Sequence, residues 1–335
     1  MRRISPQPLR RSRRLALQIA TAAALLPLAT TALAQAPWPD RPVRIIVPFS
    51  AGGTTDVVAR ALAKDLGDAW GQSVVVENRA GAGGNIGADA VAKSTPDGYT
   101  LLMTSGSIFT VNPHLYAKLP FDPLKDFIPV INVASGPQLL VVHPSVAAKN
   151  VKELIALARK PDSKLNFGSA GIGSQVHMAA ESFVDAAKIE ATHIPYKGEN
   201  PAFTDLAGGS IQFMVGNIAA AAPFVSNGRV RALGVTSKTR SQLLPDVPTI
   251  AESGLPGFEN TGWFGFMVPA GTPKAIVDKI HRDTVKALSN TEMKARLFVN
   301  GMVPVGNTPA EFTAAIAEES RLWARVVKNR GLKAN

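Results

Sequence analysis

Strand-length apolar runs alternate with amphipathic stretches along most of this 335-residue chain. The run from Val43 to Phe49 precedes a segment in which Val57, Val58, Ala61, Leu62 and Leu66 share one helical face. Residues 73–78 read as a second strand, 79–94 as a glycine loop running into a helix, and 99–105 as a third strand. These runs are continuous where a half-exposed strand would alternate, which suits parallel strands covered on both faces. The pattern predicts an α/β fold, doubly wound.

The later half repeats the theme. Asn150 with Glu153 marks a helix start before Leu154, Ile155 and Ala158. Residues 164–174 predict a strand and a glycine-serine turn, and 191–209 a short strand, a polar turn and a helix. Two more strands follow at 210–217 and 230–237. Thr272-Pro273 opens a helix with proline in its first turn. Thr308-Pro309-Ala310-Glu311 opens another with a capping box, and Phe312, Ile316, Leu322, Trp323 and Val326 give it an apolar face. Two extended apolar stretches, 133–144 and 259–271, bracket a middle segment of common domain size. They predict a two-crossing hinge between a discontinuous domain 1 (35–136 and 262–335) and a continuous domain 2 (137–261).

Composition changes this picture at the N-terminus. Six arginines between Arg2 and Arg14 precede an apolar stretch from Leu15 to about Leu28 and the small-x-small site Ala32-Leu33-Ala34. Residues 1–34 therefore read as a cleaved signal peptide, with Ser12-Arg13-Arg14 leaving both Sec and twin-arginine export open. The chain carries 36 basic and 25 acidic residues; loss of those six arginines leaves 30 against 25, a net +5. That is an ordinary solubility charge with no basic run for nucleic acid. There is no cysteine, which excludes disulfides, thiolate catalysis and a lipid anchor on cysteine. A free periplasmic monomer is expected, with no cofactor.

Nucleotide motifs do not fit the turn Ser50-Ala51-Gly52-Gly53, which lacks a P-loop lysine and has the wrong glycine spacing. Gly81-Ala82-Gly83-Gly84-Asn85-Ile86-Gly87 comes closer, although tight chain packing explains Gly81 and Gly87 at least as well. Phe167-Gly168-Ser169-Ala170-Gly171 misses the serine-hydrolase elbow at its first residue, and no histidine pair has zinc-ligand spacing. An exported hydrolase using Ser169 or Ser174 with His177 is the competing reading. What stands out is a set of Gly/Ser/Thr-rich strand-end turns at 50–55, 104–107, 168–174 and 196–200. On parallel strands they meet at one sheet edge, where backbone N–H groups, helix starts and the hydroxyls of Ser50, Thr54, Ser105, Ser169 and Ser174 could hold a carboxylate without an arginine.

The stretches WPDRPVRIIVPFSAGGTTDVVAR, VVVENRAGAGGNIGADAVAKSTPDGYTLL, HIPYKGENPAFTDLAGGSIQFM and LPDVPTIAESGLPGFENTGWFGFMVPAGTP closely resemble the Bug family. Its members are extracytoplasmic receptors of tripartite tricarboxylate transporters. The resemblance implies a type II periplasmic-binding-protein fold, closing on a di- or tricarboxylate or an aromatic carboxylate and delivering it to membrane permease subunits. A sensory role beside a two-component receptor is a further alternative. By motif match the first-domain contacts are Pro48, Phe49, Ser50, Ala51, Gly52, Gly53, Thr54 and Thr55, with Ser105 and Gly106. The second-domain contacts are Ser169, Gly171, Gly173, Ser174, Tyr196, Lys197, Gly198 and Asn217. Many members carry an aspartate where this chain has Gly216, which argues against an amino-group ligand.

Overall fold

Three parallel strands begin the chain: β1 (Val43–Val47), reached again after α1 (Thr54–Trp70) by β2 (Val74–Asn78), and after α2 (Asn85–Ala92) by β3 (Thr100–Ser105). The computed structural model describes residues 38–334, so the expected signal peptide lies outside the described residues. From Pro39 onward the chain forms one compact unit. On α1 the residues Val58, Leu62 and Leu66 are buried and Val57 and Ala61 half-buried, so the predicted stripe is the inner face.

Two short helices, α3 (Ser107–Thr110) and α4 (Asn112–Leu115), lead into β4 (Phe127–Val142), a strand of 16 residues. There follow α5 (Val151–Ala158), β5 (Asn166–Ser169), α6 (Gln175–Ala187), β6 (Thr192–Pro195), α7 (Glu199–Ala207), β7 (Phe213–Asn217), α8 (Ile218–Ser226) and β8 (Arg231–Val235). The chain ends with β9 (Thr261–Pro269), α9 (Lys274–Ser289), α10 (Thr291–Phe298), β10 (Val303–Pro304) and α11 (Pro309–Arg330). The strand order is β2-β1-β3-β9-β4-β7-β5-β6, with β8 and β10 also on β4.

β4 links the two groups of parallel strands. Its first part pairs with β9 through Pro137↔Thr261, and its last residues pair with β7 and β8. In that last part consecutive side chains alternate between two cores, as a strand covered on both faces requires. Leu139 and Val141 join Phe203, Leu206 and Met214; Leu140 and Val142 join Phe167, Phe183 and Phe213. Parallel pairing holds within β1–β3 and within β5–β7, whereas β4 and β9 run antiparallel to their neighbours. The sheet is therefore mixed.

Caps follow the sequence closely. Asn150 accepts from the Glu153 amide, and Thr308 with Glu311 completes the capping box of α11. Pro273 stands one residue earlier than expected, at the cap of α9. The apolar face of α11 needs a larger correction: Phe312, Ile316 and Val327 are buried, but Leu322 and Val326 are 48% and 37% exposed. Positions 312, 316, 323 and 327 repeat at helical spacing, and 322 and 326 sit one residue out of phase.

Candidate functional site

A cavity opens where β1, β3, β5 and β7 end. Phe49, Ala170, Val176 and Phe264 supply its apolar lining, while Gly53, Thr54, Thr55, Ser105, Ser174, Gln175, Glu199 and Asn217 supply the polar part. The starts of four helices meet here: Thr54 of α1, Gln175 of α6, Glu199 of α7, and Asn217, the cap of α8. Only α6 has a side-chain cap, from Ser174; α1, α7 and α8 have none. At α1 and α8 the Thr54 and Asn217 amides donate instead to the Glu199 carboxylate, and the aligned dipoles of the four helices make the cavity favourable to negative charge. No lysine, arginine or histidine is among its described lining residues. Ser105 is 3% exposed, and its Oγ has no hydrogen-bond partner within the protein.

Asp56 holds the loop after β1 in shape. Its buried carboxylate accepts from Gly52 N at 2.9 Å, Arg60 Nε at 2.8 Å and Asn78 Nδ2 at 2.9 Å, and Asn78 also donates to Phe49 O. Burial opposes ionisation of Asp56, but the bonds from Arg60, Gly52 and Asn78 outweigh it and hold its pKa below the usual carboxylate range. The left-handed glycine in this turn is Gly52, with φ +74°; Gly53 is extended and reaches the cavity wall. Pro48 backs the loop, packing against Gly87, and Ala51 O accepts from Asn200 Nδ2 at 3.0 Å. Gly81 and Gly87 therefore serve chain packing, as the simpler reading of that segment has it.

Across the cavity the predicted residues divide. Ser174 and Asn217 line it, as do Phe49, Gly53, Thr54, Thr55 and Ser105. Gly198 meets Ser50 directly, because a Cβ there would overlap Ser50 Oγ. Ser169, Gly171 and Gly173 support the site without lining it. Ser169 Oγ contacts both Gly171 backbone groups at 3.1 Å and His193 Nε2 at 2.6 Å, so its hydroxyl is already engaged. Gly171 and Gly173, at φ +120° and +79°, bring their turn against Gly83 and Asn112. Tyr196 donates to Asp205 Oδ2 at 2.7 Å; burial and then Asp205 push its pKa up to about 12. Lys197 is exposed, and Gly106 faces a neighbouring cavity beside Trp263 and Glu319.

Sequence reasoning missed Ala170, Gln175, Val176, Phe264 and above all Glu199. Glu199 is 6% exposed. Oε1 accepts from Asn217 N at 2.8 Å and Nδ2 at 3.1 Å, and Oε2 from Thr54 N at 3.4 Å. Burial pushes its pKa up against the opposing bonds from Asn217 and Thr54. A Cβ on Gly216 would come within 2.6 Å of the Phe203 ring, which explains the glycine; Glu199 Oε1 stands 3.7 Å from the same point. An acid thus reaches this wall from α7. The clue available in sequence was an acidic residue opening a helix straight after Gly198.

The hydrolase reading fails on geometry. His177 does not meet the hydroxyl of Ser169, which pairs with His193, and Ser174 Oγ accepts from the backbone of His177. His177 and His193 stack at 3.9 Å in the core beside Phe167, outside the cavity lining.

Comparison with known proteins agrees. A family model described as the tripartite tricarboxylate transporter family receptor matches residues 58–332. The chain is 40% identical over 297 residues to protein BugT of Bordetella pertussis, covering 88% of this chain and 91% of that protein. It is similar to the structure of R. palustris Rpa4515 with adipate: 38% identity, TM-score 0.86, and 88% and 99% of the two chains covered. MatC from Rhodopseudomonas palustris with bound malate is similar at 33% identity and TM-score 0.82, covering 87% of this chain and 100% of that one. A binding-protein fold with a helix-start cavity, matched along most of its length by receptors, leaves no room for an enzyme assignment. The chain belongs to the TctC/Bug family of tripartite tricarboxylate transporter receptors, periplasmic solute-binding proteins of α/β fold.

Proposed function

We propose that this receptor binds a small carboxylate in the cavity and hands it to the permease subunits of a tripartite tricarboxylate transporter. The convergence of four helix starts on a cavity without a cationic side chain carries this reading. The helix starts around the cavity, with the unpartnered Ser105 Oγ, are the groups that attract the carboxylate. That relatives hold adipate and malate supports the same chemistry. On this reading the expected domain 2 closes against domain 1 by bending at the paired crossings, where Gly136-Pro137 faces Thr261-Gly262. Ligand favours the closed form because it touches both sides at once.

A thermal-shift screen of the protein without residues 1–34 tests the proposal. Free ligand at 100 times its dissociation constant adds about 2.7 kcal/mol of stability, a clear rise in melting temperature. If neutral or cationic solutes raise the melting temperature and no carboxylate does, the proposal is wrong.

A further inference from the structure

We propose that the C-terminal end of α11 is a latch between the two expected domains, with Arg330 as the residue that holds it shut. This rests on the hinged-receptor reading above and adds a device that sets the balance of open and closed forms. α11 begins in domain 1, where Phe312 and Ile316 are buried with Ile46, Leu102 and Met267. At 22 residues it is about 33 Å long, and its last turns pass beyond that core. There Trp323 and Val327 pack with Val111 and Leu115 of domain 1 and with Met178 of α6, in domain 2. Arg330 then forks onto α6: Nη2 meets Glu181 Oε2 at 2.9 Å and Nη1 meets Asp185 Oδ1 at 2.7 Å. Gly331, left-handed at φ +61°, ends the helix, and Ala334 N donates back to Leu115 O at 2.9 Å. Tyr116, bridged to Ala334, donates from its hydroxyl to Ile172 O at 2.8 Å, again across the boundary.

The covalent crossings run through β4 and β9, and they persist in any arrangement of the domains. The strap is a non-covalent tie made elsewhere, so it can form and break as the domains move. Burial pushes the Glu181 carboxyl toward protonation, and Arg330 is the chief influence against this; Arg330 is also the main reason that Asp185 lies below the usual carboxylate range. Lys188 Nζ, 3.2 Å from Asp185 Oδ1, and His177 Nε2, 3.7 Å from Glu181 Oε1, belong to α6 and its cap. Arg330 alone brings charge to these acids from domain 1 among the described residues. Arg330, Glu181 and Asp185 are all absent from the cavity lining, so the pair reaches ligand affinity only through the populations of the two forms.

The chain has no cysteine, so spin labels at Lys64→Cys on α1 and Lys160→Cys beyond α5, both exposed, report the separation of the domains. In the ligand-free protein Arg330→Ala should move the label distances toward the longer, open population. It should also weaken binding of adipate or malate, the solutes held by relatives, by about fivefold or more, the lower end of what coupled sites show. Arg330→Lys keeps the charge and should restore most of both effects, which a general loss of packing would not allow. Unchanged ligand-free distances in Arg330→Ala overturn the latch, whatever happens to affinity and even if neither solute binds; the hinge still stands if solute shortens the distance in the unaltered protein. A lysine variant as open as the alanine variant overturns the ion-pair latch too. A distance that a bound solute leaves unchanged in the unaltered protein removes the hinge, and the latch with it.

Discussion

Acid should destabilise this protein through two stacked histidines. His177 and His193 lie 3.9 Å apart ring to ring beside Phe167, and burial lowers their pKa values to about 3 and about 4, with His193 adding to the effect on His177. Both titrate near 6.5 in the unfolded chain. Below that value the unfolded state takes up protons that the native state refuses, so stability is complete above about pH 6.5 and falls as the pH drops toward 4. Integrating from pH 7 to 5 gives about 1.9 kcal/mol for each histidine, about 4 kcal/mol together, which is much of a typical domain's stability. Glu181, 3.7 Å from His177 Nε2, has its pKa raised by burial against the pull of Arg330, and this works in the opposite direction as the pH falls. Comparison with variants removes its contribution. His177→Asn retains an acceptor for Gly173 N, and His193→Gln retains a partner for Ser169 Oγ. Urea unfolding followed by tryptophan fluorescence at pH 7, 6 and 5 should show each variant losing about half of the pH dependence. A double variant with the same pH dependence as the unaltered protein would falsify the assignment.

Two further substitutions probe the clamp and the C-terminal helix. Gly198→Ala places a methyl against Ser50 Oγ at an extended backbone position, so the cost is contact without backbone strain. Overpacking of about 1–3 kcal/mol should appear as a roughly fivefold to 150-fold weaker ligand affinity; unchanged affinity would separate the two loops from binding. Thr308→Ala removes the side-chain half of the capping box of α11, the Oγ1 that accepts from Glu311 N, and should cost about 1 kcal/mol in urea unfolding.

Local signals carried well from sequence to structure. Strand-end turns, the helix starts at Asn150 and Thr308, and the carboxylate-favouring loop after β1 are set by residues within a few positions of one another. Glu199 was not legible, because its meaning depends on Thr54, 145 residues away. Read alone, it is a polar residue opening a helix. The partners of Ser169 and Tyr196 were hidden in the same way: His193 and Asp205 occupy their hydroxyls, and only the folded chain brings them together. The antiparallel sense of β4 and β9 was also hidden, since an apolar run says that a strand is covered but not which way it points.

The place of β9 has a consequence for how the chain is made. β3 leaves β4's neighbourhood open until β9 enters between them, pairing Met103 with Phe266 and Ala134 with Phe264. During synthesis the first three strands therefore carry an unpaired edge while more than a hundred further residues emerge, an edge that invites association with other chains. Native pairing across that gap is impossible before residue 261 is available.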